Sequence, residues 1–193
     1  MSKVKSVLLV GVGGQGTILM SKVLTKGLIS AGFDVKMSEV HGMAQRGGSV
    51  STQVRWGEKV YSPLFGPGSA DILVALERME AVRWAEYLKP DGIAVINDYK
   101  MLPMPVAAGM ATYPEGTIEA MSRCFKTVAF DASELAHEAG SARTMNIVMF
   151  GALVKAAGLT NIDWQSILSE SVPSKFVDMN LKSFELGVNE VTI

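Results

Sequence analysis

Val7-Leu8-Leu9-Val10-Gly11-Val12-Gly13-Gly14-Gln15-Gly16 has the pattern of a buried strand that runs into a glycine turn and opens a helix. Four consecutive apolar residues bounded by glycine are too few for a helix and suit a strand covered on both faces. Gly11, Gly13 and Gly16 stand at the G-x-G-x-x-G spacing. At that spacing glycines serve a tight turn, close approach of a ligand to backbone, and close packing of helix on strand. Beyond the turn, Leu19, Met20, Val23, Leu24, Gly27, Leu28 and Ala31 recur at helical period, with Ser21, Lys22, Thr25, Lys26 and Ser30 between them. That is an amphipathic helix whose first N–H groups would favour an anion. The arrangement specifies a fold more firmly than it specifies a ligand.

Working outward, residues 34–40 form the expected second strand, ending at Ser38 and Glu39. In a nicotinamide-binding fold an acid about 20 residues after the glycines bonds the ribose. Glu39 stands somewhat later than that, and a strand-end carboxylate facing solvent or a neighbouring loop is the equal alternative. The next segment, His41-Gly42-Met43-Ala44-Gln45-Arg46-Gly47-Gly48, sets an imidazole, an amide and a guanidinium among three glycines at a strand's carboxyl end. Ligands of open α/β sheets collect at that edge. Arg46 has the fork to clamp a phosphate or carboxylate, and His41 is suited to proton transfer near neutral pH. The plainer alternative pairs Arg46 with an internal acid such as Glu39. Functional groups concentrate on such loops, which favours a ligand or subunit contact.

Residues 49–56 alternate, with Val50, Thr52, Val54 and Trp56 on one side, and the turn Gly57-Glu58-Lys59 predicts a hairpin into residues 60–62. A hairpin inserted in a βαβ chain implies a mixed sheet. A buried strand at 71–76, Glu77 as a helix-start carboxylate and a helix at 78–88 follow, then a strand at 93–96. Residues 99–116 hold three prolines and three methionines and predict an irregular connection with one short strand, covering a neighbour. A helix at 117–124 and a strand at 127–130 lead to Asp131 as an N-cap, with Glu134 three residues on and Gly140 as the stop. His137 on that helix is an exposed residue rather than a catalytic one. Residues 144–157 are a nearly all-apolar, buried helix whose Asn146 either reaches the glycine loops or caps local backbone. Helices at 164–170 and 174–187 complete the chain.

Composition narrows the function classes. At 193 residues the chain suits one domain spanning residues 1–193. A net charge of −1 provides no basic field for nucleic acid or anionic membrane. Cys124, the single cysteine, excludes an intrachain disulfide and a self-contained four-thiolate cluster, and suits a reducing cytoplasm. The start lacks a cleavable signal pattern, and the longest apolar run is far short of the roughly 20 residues that span a bilayer. The two histidines and the cysteine stand far apart, which leaves no metal-ligand spacing. There is no Gly-x-Ser-x-Gly elbow and no Walker lysine. Anion-binding loops without a full set of catalytic groups describe a binding domain or part of a larger enzyme.

The glycine turn, together with Glu39-Val40-His41-Gly42-Met43-Ala44-Gln45-Arg46-Gly47-Gly48-Ser49-Val50, resembles the gamma-type subunit of 2-oxoacid:ferredoxin oxidoreductases. The His-Gly-Met-x-Gln-Arg-Gly-Gly-Ser-Val form is similar to the beta subunit of the indolepyruvate branch. The Asn146-containing helix also fits, so the resemblance covers nearly the whole chain. It implies a three-layer α/β/α, Rossmann-like fold with a mostly parallel sheet and an inserted β-hairpin. It also implies oxidative decarboxylation of a 2-oxoacid with coenzyme A to an acyl-CoA, carbon dioxide and reduced ferredoxin. Thiamine diphosphate, its magnesium and the iron–sulfur clusters are then expected on a large partner subunit, with ferredoxin met through the complex. Carried onto this chain, Gly13, Gly14, Gln15, Gln45, Arg46 and Gly47 would line the coenzyme A surface, flanked by Gly11, Gly16, Glu39, His41 and Gly48. No residue is assigned as catalytic. In isolation the chain could pair with itself as a homodimer. Two alternatives stand beside this: a free-standing nicotinamide- or flavin-binding protein, and a non-catalytic scaffold.

Overall fold

The structure, a computed structural model, describes residues 4–42 and 47–192. Its frame is a six-stranded sheet of order β2-β3-β1-β4-β5-β6. The strands are β1 (Lys5–Val12), β2 (Asp34–His41), β3 (Ser49–Gly57), β4 (Ala70–Ala75), β5 (Leu88–Asn97) and β6 (Lys126–Phe130). The helices are α1 (Thr17–Ser30), α2 (Arg78–Arg83), α3 (Met104–Ala107), α4 (Thr117–Cys124), α5 (Ala132–Ala139), α6 (Met145–Ala156), α7 (Trp164–Ser171) and α8 (Val177–Asn189).

β1 is interior, as its apolar run requires. Val7 and Leu9 face the layer built from α1, α5, α6, α7 and α8, while Leu8 and Val10 face the layer of α2 and α4. All four are fully buried. β1, β4, β5 and β6 run parallel, and β3 is antiparallel to both β1 and β2. The sheet is therefore mostly parallel, with its antiparallel part on one flank.

Three expectations need correction. The hairpin does not form around Gly57: β3 pairs with β2, from Asp34 opposite Gly57 to His41 opposite Val50, across residues 42–48. The chain after Gly57 runs without strand structure because side chains supply its partners. Gln53 accepts from the Phe65 N–H at 2.8 Å, Arg55 donates to Ser62 O at 3.0 Å, and Asp34 accepts from the Val60 N–H at 2.9 Å. The helix predicted for 78–88 ends at Arg83. A 3-10 turn at Ala85–Tyr87 follows, and Leu88 already belongs to β5. Residues 101–110 carry a single helical turn rather than a short strand, since Pro103 and Pro105 fit a helix start and cannot donate to a ladder.

The core is thickest around α6, where every residue from Asn146 to Val154 is buried. Phe150 packs edge-on to Trp164 and tilted against Phe184, at 5.1 and 5.8 Å between ring centroids. Asp131 caps α5 by accepting from the Ser133 and Glu134 N–H groups. Among the described residues no helix is long and apolar enough to cross a membrane.

Asp34 ties the start of β2 to the chain beyond β3. The Lys36 ammonium at 2.6 Å, and then the Val60 N–H, hold its carboxyl below the usual carboxylate range. A carboxylate whose pKa is lowered by folding adds stability above its unfolded value of about 3.9 and loses it as pH falls through the folded value. The protection factor of the Val60 amide in hydrogen exchange is thus expected to drop below about pH 4, ahead of amides in β1. Asp34→Asn should abolish that dependence. A Val60 protection factor that stays flat on acidification would show that the tie carries no load.

Candidate functional site

The glycine turn is held from inside. Gly16 has φ 92°, caps the start of α1, and accepts from the Asn146 amide at 3.3 Å. A Cβ there would run into that amide, so the position needs glycine for backbone conformation and for packing alike. Of the two alternatives for Asn146, the structure takes the one that reaches the glycine loops. A Cβ on Gly11 would lie 2.8 Å from Gln15 Oε1 and 3.1 Å from Leu76 Cβ. Gln15 turns back on the fold: its Oε1 accepts from the Val12 N–H at 2.7 Å, and its Nε2 donates to Leu76 O at 3.1 Å. It thereby bridges the ends of β1 and β4. The Gly13 N–H donates to Gly48 O at 2.9 Å and stitches the two glycine loops together. The structure thus brings Gly13 beside Gly48. Gln45 and Arg46, with Met43 and Ala44, lie outside the described residues.

Gly13 and Gly14 form a rim shared by two clefts. The first, of about 390 Å³, runs from Gly16 and Thr17 to Glu39, Val40 and His41 of β2 and to Val50 and Thr52 of β3. Glu39 accepts from Ser21 Oγ of α1 at 2.8 Å, so this acid is held by the neighbouring helix while it lines the cleft. The second cleft, of about 540 Å³, lies on the other side of the rim. Its walls are Tyr99 and Met101 after β5, Ser133 and His137 of α5, and Arg143 and Met145 at the start of α6. Sequence reasoning missed Tyr99 and Arg143 and set His137 aside. Only the break at Gly140 hinted that a loop there would face the sheet edge.

Two buried carboxylates on α2 and its cap fix the loops around these clefts. Glu80 accepts from Ser49 Oγ, at the exit of the second glycine loop, and from Arg83 Nε at 3.0 Å. Glu77 caps α2 through the Met79 and Glu80 N–H groups at 2.7 and 3.0 Å. Its other oxygen accepts from the Met101 N–H at 3.2 Å and from the Tyr113 hydroxyl. Burial, and then the Glu77 carboxylate, push the Tyr113 pKa above its usual value, so the phenol remains a donor at neutral pH. The helix-start role expected for Glu77 is present, with two further partners. Among the described residues no three side chains group as metal ligands, and Cys124 is exposed on α4.

The sequence profile described as "Pyruvate ferredoxin/flavodoxin oxidoreductase" matches residues 6–190. The chain belongs to this family. Within the pyruvate ferredoxin/flavodoxin oxidoreductase family, the indolepyruvate oxidoreductase subunit IorB of Thermococcus kodakarensis is 40% identical over 191 residues, spanning 95% of this chain and 94% of its own length. The structure described as the gamma subunit of a keto/oxoacid ferredoxin oxidoreductase from Geobacter sulfurreducens superposes with a TM-score of 0.71 at 24% identity. The match covers 96% of this chain and 97% of that one. A 2-oxoglutarate:ferredoxin oxidoreductase from Magnetococcus marinus, described with 2-oxoglutarate, coenzyme A and succinyl-CoA bound, gives a TM-score of 0.73 at 21% identity. That match covers 98% of this chain and 31% of the longer one. At these identities the two structures speak for the fold. The resemblance to gamma-type subunits, drawn from the glycine turn and the Arg-Gly-Gly loop, is borne out.

Proposed function

We propose that this chain is the non-thiamine-binding subunit of an indolepyruvate-type 2-oxoacid:ferredoxin oxidoreductase, closing one side of the active centre and contacting coenzyme A. The observation that carries the substrate branch is the end-to-end 40% identity to a subunit of that name. The rim of Gly13 and Gly14, stitched to Gly48 and flanked by two clefts, supports a surface that meets a ligand or a partner. Thiamine diphosphate on the large subunit would supply the electron sink for decarboxylation. The described residues of this chain offer no cluster for its metal and a lone cysteine for iron. The part left to this chain is to orient the thioester-forming partner and keep water from the reacting centre.

The experiment compares arylpyruvate-dependent viologen or ferredoxin reduction by this chain, the large subunit, and both mixed, each with and without coenzyme A. Activity only in the mixture, dependent on coenzyme A, is expected. Turnover by this chain alone would overturn the subunit reading. Full activity of the large subunit without it would reduce the chain to a scaffold. Saturable NADH binding to the isolated chain, with no effect of coenzyme A, would favour a free-standing nicotinamide protein.

A further inference from the structure

We infer that the loop between β5 and α4 is a preformed knob whose exposed methionines, Met104 and Met110, seat against an apolar surface of the large subunit. This rests on the subunit reading and names the contact by which the subunit is held. Residues 101–114 carry no charged side chain. Met104 and Met110 are nevertheless 79% and 77% exposed, with Leu102 beside them at 54%. The two methionines lie on one turn, since the Met110 N–H donates to Pro105 O at 2.8 Å. Apolar side chains grouped in water mark a surface that another molecule covers. Thioethers, being flexible and polarisable, fit themselves to such a partner.

The knob is built rather than loose. The Val106 and Ala107 N–H groups both donate to Pro103 O at 2.9 Å, and the Ala108 N–H to Met104 O at 2.9 Å. Pro103 and Pro105 have their φ angles fixed by their own rings. The two feet of the loop meet at one atom: Glu77 Oε1 accepts from the Met101 N–H and from the Tyr113 hydroxyl. A compact loop with its ends drawn together is a common way to carry a recognition surface. Holding the apolar side chains in place beforehand lowers the ordering cost that association would otherwise meet.

Position decides the occupant. Tyr99 and Met101, at the root of the loop, also wall the cleft beside Gly13 and Gly14, so the knob stands at the carboxyl edge of the sheet. In the subunit reading that edge turns toward the thiamine-bearing partner. A second copy of this chain seated on the knob would lie against the same edge and close it off. A different exposed apolar strip, Ile29 with Met37, is bracketed by Lys22 and Lys26, whose ammonium groups a dry interface would have to strip of water.

The test titrates the purified large subunit with this chain by calorimetry, as wild type, Met104→Ser, the double variant Met104→Ser/Met110→Ser, and Tyr61→Ala. Tyr61 is 89% exposed and lies beside the Val60–Asp34 tie, at the amino ends of β1 and β2. Met104→Ser should raise Kd about tenfold and the double variant about a hundredfold, as for residues central to an interface. Tyr61→Ala should match wild type. Both methionines are exposed, so the free variants should melt with the wild type. A second measurement, hydrogen exchange on the wild type, should show the amides of residues 106–111 slowed in the complex. A double variant that binds as tightly as wild type, or amides at 106–111 that exchange equally fast free and assembled, overturns the knob and leaves the subunit function standing. Sedimentation of the free chain covers the other occupant. A wild-type dimer that Met104→Ser makes monomeric, with affinity for the large subunit unchanged, gives the knob to a second copy and overturns the proposal. A wild-type chain that does not bind the large subunit at all overturns the subunit reading, and this contact with it.

Discussion

Gly187→Ala is expected to destabilise the chain by about 3 kcal/mol, the upper end of the usual range for overpacking. A Cβ at Gly187 would land on the carbonyl oxygen of Val148 in α6, and one at Gly151 would land on that of Phe184 in α8. Backbone meets backbone on both sides of this seam, so no side-chain rotation makes room. In an unconstrained helix the same change would gain about 1 kcal/mol, so even the sign of the effect reports on the contact. For a chain of this size about 3 kcal/mol corresponds to a Tm lower by roughly 6–12 °C, readable by circular dichroism. Gly151→Ala should behave alike, and the pair should fall short of additive because either one already forces the same seam apart. A Gly187→Ala protein melting at or above the wild-type temperature would mean that α6 and α8 stand further apart.

The second large effect is expected at Glu77. Replacing it by alanine removes the cap of α2, worth about 0.5–2 kcal/mol, and strands the Met101 N–H and the Tyr113 hydroxyl. A hydrogen bond to a charged carboxylate is worth about 1.5–3 kcal/mol. The terms overlap, and about 3 kcal/mol in all is the expected loss. Tyr113→Phe tests one strand of this: about 1 kcal/mol in the wild-type background and close to nothing in Glu77→Ala. The local signature should be limited proteolysis between residues 99 and 113, where Leu102, Met104 and Met110 are exposed. Cleavage there that is no faster in Glu77→Ala than in wild type would show that the loop is held by other means.

Where the sequence was legible, local pattern and tertiary demand agreed. β1 is apolar on both faces and lies inside the sheet, and α6 is apolar all round and is covered all round. Asp131 and Glu77 announced helix starts through side-chain chemistry alone. The hairpin was misplaced because Gly57-Glu58-Lys59 is good turn material whether or not the next residues pair. What decided the pairing was Asp34, Gln53 and Arg55, whose side chains take up backbone groups beyond Gly57. Gln15 looked like a ligand contact by its place among glycines, yet its amide engages the backbone of both flanking strands. The second cleft was invisible for another reason. Tyr99 and Arg143 come from connections far apart in the chain, and only the parallel packing of β5 and the return of α6 over the sheet bring them to one opening.

The placement of β3 between β2 and β1 also sets an order of assembly. As the chain is made, β1 emerges first and has no neighbour, because its antiparallel partner begins at Ser49 and its parallel partner at Ala70. β2 and β3 are an antiparallel pair joined by a short connection, and they can zip locally before β1 is recruited. One face of β1 is covered early by α1, but the same face of β4 and β5 waits for α6, which begins only at Met145. Ile72, Val74 and Val95 on that face are thus left uncovered through much of synthesis, and nascent chains stalled before Met145 should be the ones that chaperones retain.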